Sequence, residues 1–160
     1  MSRFLVSLLA VTIVHAAPGA LEGRYRLVEQ TYGGSLANLV ENETPVTLTL
    51  VRSGVALDAT LTAADSTARH PWPAFVTDAG ALPVESLERR DDAASCGLHA
   101  KYRVRPSDDL TLEIVEDYRC AGDGKALVGT YSVFFLARSP EGTLSPRGSY
   151  VLHRRFERQP

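Results

Sequence analysis

Apolar and polar residues alternate along most of this chain with a period of two. "VTLTLV" (46–51) sets Val46, Leu48 and Leu50 against Thr47 and Thr49. "VALDATL" (55–61) puts Val55, Leu57, Ala59 and Leu61 on one side, and Arg52-Ser53-Gly54 joins the two as a hairpin loop. "LTLEIVEDY" (110–118) alternates Leu110, Leu112 and Ile114 against Thr111 and Glu113. In "TYSVFFLAR" (130–138), Tyr131, Val133 and Phe135 share one face, and Phe134 and Leu136 the other. Period two with β-branched and aromatic residues predicts strands, and no segment carries a helical apolar stripe of useful length. The best helix candidate is "SLANLVEN" (35–42), with Ser35 as N-cap.

About eight strands are predicted: 22–31, 45–52, 55–62, 82–88, 97–105, 109–118, 127–137 and 149–157. Short antiparallel strands must bury one face each and deal with their edges, and an up-and-down barrel does both. The expected fold is therefore all-β, a single antiparallel up-and-down barrel, with a two-sheet β-sandwich as the alternative. The first strand then pairs with the last. The connection 63–81 is long for so small a domain, as functional loops often are.

The opening residues break the alternation. Arg3 precedes an apolar run from Phe4 to Val14, and Val14 and Ala16 stand at the small-residue positions of a cleavage site. Residues 1–16 thus read as a secretory signal peptide, too short an apolar run to span a bilayer. Residues 17–160 form the single mature domain, secreted or periplasmic, with no membrane span. Cleavage removes Arg3 and no acid, so 17 Lys and Arg against 19 Asp and Glu become 16 against 19. A mildly acidic chain lacks the basic footprint of nucleic-acid binding.

Cys96 and Cys120 flank the hairpin predicted by 97–105 and 109–118 around Pro106-Ser107-Asp108. Pairing Arg105 with Leu110 places Cys96 opposite Arg119, and a small bulge brings it to Cys120. An even count in an exported chain then predicts a disulfide. The spacing matches no zinc site, so no metal is expected. His70, His99 and His153 fall in no catalytic pattern, no nucleophile elbow or phosphate-binding loop occurs, and neither an enzyme nor a cofactor is expected. "AGDGK" (121–125) reads as a hairpin turn, and "ERRDDAAS" (88–95) as a solvated charged loop. His70 stands in "RHPWPAF", a proline-stiffened loop whose Trp72 and Phe75 form a binding lip or, as the plainer reading, plug one barrel end.

Gly23-Arg24-Tyr25 on the first strand, Glu116-Asp117-Tyr118 ending the sixth, and an arginine near the chain's end resemble the lipocalin and calycin barrels. Their first strand carries Gly-x-Trp, and an arginine of the closing strand lies against that aromatic. Here Arg154 is the leading candidate to stack on Tyr25, and Arg138 the competitor. Tyr25 stands for the usual Trp and Glu116 for the usual Thr. The resemblance implies binding of a small hydrophobic or amphipathic molecule, with Trp72, Phe75, His70, Tyr25 and Arg154 as candidate contacts. The alternative is a protein-binding or inhibitor-type module of the cell envelope, acting through loops such as 63–81.

Overall fold

A computed structural model describes residues 21–37, 46–53, 56–63, 67–77, 79–92 and 96–160. The chain is all-β, as the alternation predicts. Among the described residues, eight long strands are β1 (Gly23–Gly33), β2 (Val46–Ser53), β3 (Ala56–Ala63), β7 (Val84–Asp92), β8 (Gly97–Ser107), β9 (Leu110–Ala121), β10 (Ala126–Arg138) and β11 (Leu144–Arg158). Three short ones lie in the long connection: β4 (His70–Pro71), β5 (Phe75–Thr77) and β6 (Gly80–Leu82).

One strongly curled antiparallel sheet holds nine strands in the order β4-β3-β2-β1-β11-β10-β9-β8-β7, and β5 and β6 form a separate hairpin. The first strand pairs with the last, Tyr25 facing Arg158 and Leu27 facing Phe156. The seam lies elsewhere, between β7 and the edge made by β3 and β4. Arg89 crosses it, donating from Nη2 to the Leu57 carbonyl and from Nη1 to the Trp72 carbonyl at 3.4 Å. Its guanidinium also lies 5.1 Å from the Trp72 ring centroid, and Asp91 holds it with two carboxylate oxygens. A side chain, not a backbone ladder, joins the two edges.

That arrangement corrects the reading of 88–95 as a loop. Residues 88–92 continue β7, and Arg89 points inward because strand alternation leaves it no other direction. The run looks solvated because β7 is an edge strand whose residues, Arg89 apart, are exposed. Residues 35 and 36 form a turn and Ala37 is in 3₁₀ conformation, with Ser35 and Leu36 bonded to Ser149 of β11. The rest of the expected helix, 38–42, lies outside the described residues, as do residues 1–20.

The β8–β9 hairpin turns at Asp108-Asp109, two residues later than expected, and the register shifts between Val104 and Ser107. That bulge brings Cys96 and Cys120 together, bonded, with Cα atoms 5.4 Å apart. The turn after β9 comes at 122–125, where "AGDGK" predicts it.

The starts of β1, β3, β8 and β10 and the ends of β2, β7, β9 and β11 gather with the disulfide at one end of the sheet. The other end receives the connections after β1 and β3 and the β5–β6 hairpin. These are called the disulfide end and the loop end below. Between them, Tyr25, Tyr102, Val104, Ile114, Tyr118, Leu127, Leu152 and Phe156 are almost wholly inaccessible. Tyr131 and Val133 of β10 face this core, while Phe134 on the opposite face is exposed and Leu136 partly buried.

Candidate functional site

The period-two pattern of β9 puts Leu112, Ile114, Glu116 and Tyr118 on the inner face, and so carries a carboxylate into the core. Glu116 is 2% exposed. A buried carboxylate is tolerated only when its oxygens are hydrogen-bonded, and here three donors converge on it. Tyr102 donates to Oε1 at 2.8 Å, Tyr118 to Oε2 at 3.0 Å, and the Trp72 indole Nε1 to Oε2 at 3.1 Å. Burial pushes the carboxyl above its ordinary value, against the opposing pull of Arg154 and the three donors. Burial, reinforced by Glu116, also drives the Tyr102 and Tyr118 phenols well upward, so both remain donors.

Arg154 enters this core from β11. Its Nε donates to Gln30 Oε1 at 2.8 Å, its Nη1 lies 3.5 Å from the Tyr118 hydroxyl, and its guanidinium sits 4.2 Å from the Tyr131 ring centroid. Gln30 can face it because β1 carries a bulge between Leu27 and Glu29, which returns residue 30 to the inner face opposite Arg154. Gly129 stands between them, facing Tyr118 on one side and Arg154 on the other. A Cβ there would run into the Asp117 carbonyl oxygen at 1.8 Å, so glycine permits the close approach of β9 and β10.

The expected stacking of Arg154 on Tyr25 is corrected by this register. Arg154 stacks on Tyr131, and Arg158, directly opposite Tyr25, lies 5.8 Å from that ring. Sequence alone cannot separate two arginines four residues apart on one face when the bulge in the facing strand is unseen. Gly23 makes the arrangement possible: its φ is +148°, and a Cβ would meet Arg158 Nε at 2.7 Å. The competitor Arg138 goes instead to Thr111 Oγ1 at 2.9 Å and towards Glu85.

The candidate contacts therefore divide. Trp72 is 2% exposed, a plug between β3 and β7 rather than a lip, and it joins Arg154 in the polar cluster around Glu116. Tyr25 is buried nearer the disulfide end and donates to the Leu21 carbonyl. Phe75 is partly buried against the core on β5. His70 lies on β4, paired with Leu61 of β3. Tyr102, Gln30 and Arg89 are not among the candidate contacts expected from the sequence, and Glu116 enters there only as part of a motif. The signal for Glu116 was present, since continuing Leu112 and Ile114 by two places it in the core.

Burial is uneven along the inner face. At the disulfide end it is nearly complete, with Cys120 the partly buried exception among the described core residues. At the loop end Val46, Leu61, Phe75, Leu82, Leu110 and Phe135 pack on the core yet remain partly buried. Tyr150 joins them, its ring 5.8 Å from Phe135 and 6.5 Å from Tyr131. Tyr32 of β1 is 38% exposed and accepts a hydrogen bond from Gln30. Polar depth and apolar rim thus adjoin, with Gln30 and Arg154 behind the aromatics. Among the described residues no group of three His, Cys, Asp or Glu could hold a metal ion. No family model and no curated protein matches the chain.

Proposed function

We propose that this protein is an exported β-barrel that binds a small amphipathic molecule at its loop end. The observation that carries the reading is the contrast between the two ends of the inner face. Side chains with almost no accessible area, such as Tyr102, Tyr118 and Leu127, border no void that could take even a water. The partly buried apolar group at the loop end (Val46, Leu61, Phe75, Leu82, Leu110 and Phe135) is the surface a ligand would cover. Its apolar part would lie on Phe75 and Phe135, and its polar head would turn towards Tyr32, Gln30 and Arg154. The disulfide supports export, and so does the signal-like segment 1–16. The meeting of Gly23, Tyr25 and Arg158 supports the likeness to lipocalin and calycin barrels.

A second reading, a protein-binding module, draws on Val76, Val84 and Leu87, which are 40%, 38% and 51% exposed on β5 and the edge strand β7. Titration with the fluorescent probe 1-anilinonaphthalene-8-sulfonate separates the two. Ligand binding at the loop end predicts saturable enhancement, weakened about fivefold or more by Phe135→Ala or Phe75→Ala and untouched by Leu87→Ser. Absence of saturable binding, or loss only in Leu87→Ser, would favour the protein-binding reading.

A further inference from the structure

The outer face carries a second site, independent of the loop end. Alternation sends Arg24 of β1, Thr47 and Thr49 of β2, and Thr60 and Thr62 of β3 outward, opposite to the buried Tyr25, Leu48, Leu50 and Ala59. The ladders align them, with Arg24 beside Thr49, Thr49 beside Thr60, and Thr47 beside Thr62. Thr67 and Arg69, ahead of β4, lie against this face. Together Arg24, Thr47, Thr49, Thr62, Thr67 and Arg69 line a groove of about 390 Å³.

Its chemistry is one-sided. Six side chains supply two guanidinium forks and four hydroxyls, with no carboxylate among them. Four other surface arginines are matched to acids, Arg52 to Glu22, Arg103 to Glu113, Arg105 to Glu85 and Arg155 to Glu157, whereas Arg26, Arg90, Arg119 and Arg147 are exposed like Arg24 and Arg69. Among the described residues, the Arg24 and Arg69 guanidiniums have no ion-pair or hydrogen-bond partner. The neighbouring acids by register are Glu22, which is held by Arg52, Asp58 opposite Val51 and Glu157 opposite Arg26, and none of them is in the lining. Two arginine forks suit an oxyanion, which they bind by paired charge-assisted hydrogen bonds. Threonine hydroxyls donate or accept, as a hydroxylated ligand requires. The groove is within the size range of small-molecule sites.

We propose that this groove binds a phosphate ester of a small polyol, the phosphate held between Arg24 and Arg69 and the polyol hydroxyls by the threonines. The chemistry is shared by soluble sugar phosphates and by the phosphoglycerol headgroup of a lipid.

Titration of the full chain with glucose 6-phosphate and, separately, with phosphatidylglycerol vesicles tests it, followed by NMR of the threonine methyl groups. Saturable shifts of Thr47, Thr49, Thr62 and Thr67 are expected with at least one probe. Response to glucose 6-phosphate assigns a soluble ligand, and response to vesicles alone assigns a headgroup. Affinity should fall about tenfold or more in the Arg24→Gln, Arg69→Gln double variant. Thr49→Val, which keeps the charge, should weaken it about two- to fivefold. Glucose without phosphate should bind at least about tenfold more weakly than its phosphate ester. Both arginines are exposed, and an unchanged melting temperature shows that the variant is folded. No saturable response to either probe, or full affinity in the folded double variant, overturns the proposal.

Discussion

The indole Nε1 of Trp72 donates to Glu116 Oε2 at 3.1 Å, tying the long connection to the middle of β9. The same carboxylate takes two phenols, so one residue organises side chains from β8, β9 and the segment after β4. Glu116→Ala would orphan three buried donors, each costing about 1–3 kcal/mol. We expect the variant to lose about 3–5 kcal/mol, measured by urea unfolding. A loss below about 1 kcal/mol would mean the donors find other partners.

The charge of Glu116 gives stability a pH dependence. Its folded pKa is raised above the unfolded value by burial, so the folded state binds its proton more tightly. The stabilisation linked to that proton is complete below the unfolded value and is lost as pH rises through the folded one. Between those two values the wild type should weaken with rising pH relative to Glu116→Gln, by at most about 1.4 kcal/mol per pH unit. Urea unfolding of both proteins from about pH 4 to 8 checks it. A difference that is flat, or that grows in the opposite direction, contradicts the assignment.

Arg89 joins the sheet edges by donating to the Leu57 and Trp72 carbonyls. Arg89→Met keeps the apolar stem and removes the donors, at an expected cost of about 1–3 kcal/mol. Hydrogen exchange should quicken across β3 and at Trp72, while β9 and β10 in the centre of the sheet stay protected. Uniform loss of protection would show that the seam is not a separate weak point.

Reduction of the Cys96–Cys120 bond should lower stability by about 2–5 kcal/mol, since it clamps the base of the β8–β9 hairpin. Thermal melts with and without reductant measure this, and unchanged melting would contradict it.

Strand existence and facing were legible because burial imposes period two, as in Leu48 and Leu50 or Leu112 and Ile114. Register was legible only where no bulge intervened. The shift at Leu27/Glu29 decides that Arg158, not Arg154, meets Tyr25, and a bulge depends on pairing with a strand more than a hundred residues away. Arg89 and Asp91 read as a solvated loop because an edge strand has polar composition on both faces. The burial of Trp72 follows from its size, but its partner could not be read: nothing local ties "HPWPAF" to Glu116, 44 residues on.

Binding at the loop end is the central claim, and native mass spectrometry of the protein purified from its own host tests it most directly. The expected result is a mass excess from a small molecule that dissociates on denaturation and is depleted in Phe135→Ala. A spectrum showing only the bare chain, or the chain bound to another protein in place of a small molecule, would contradict it.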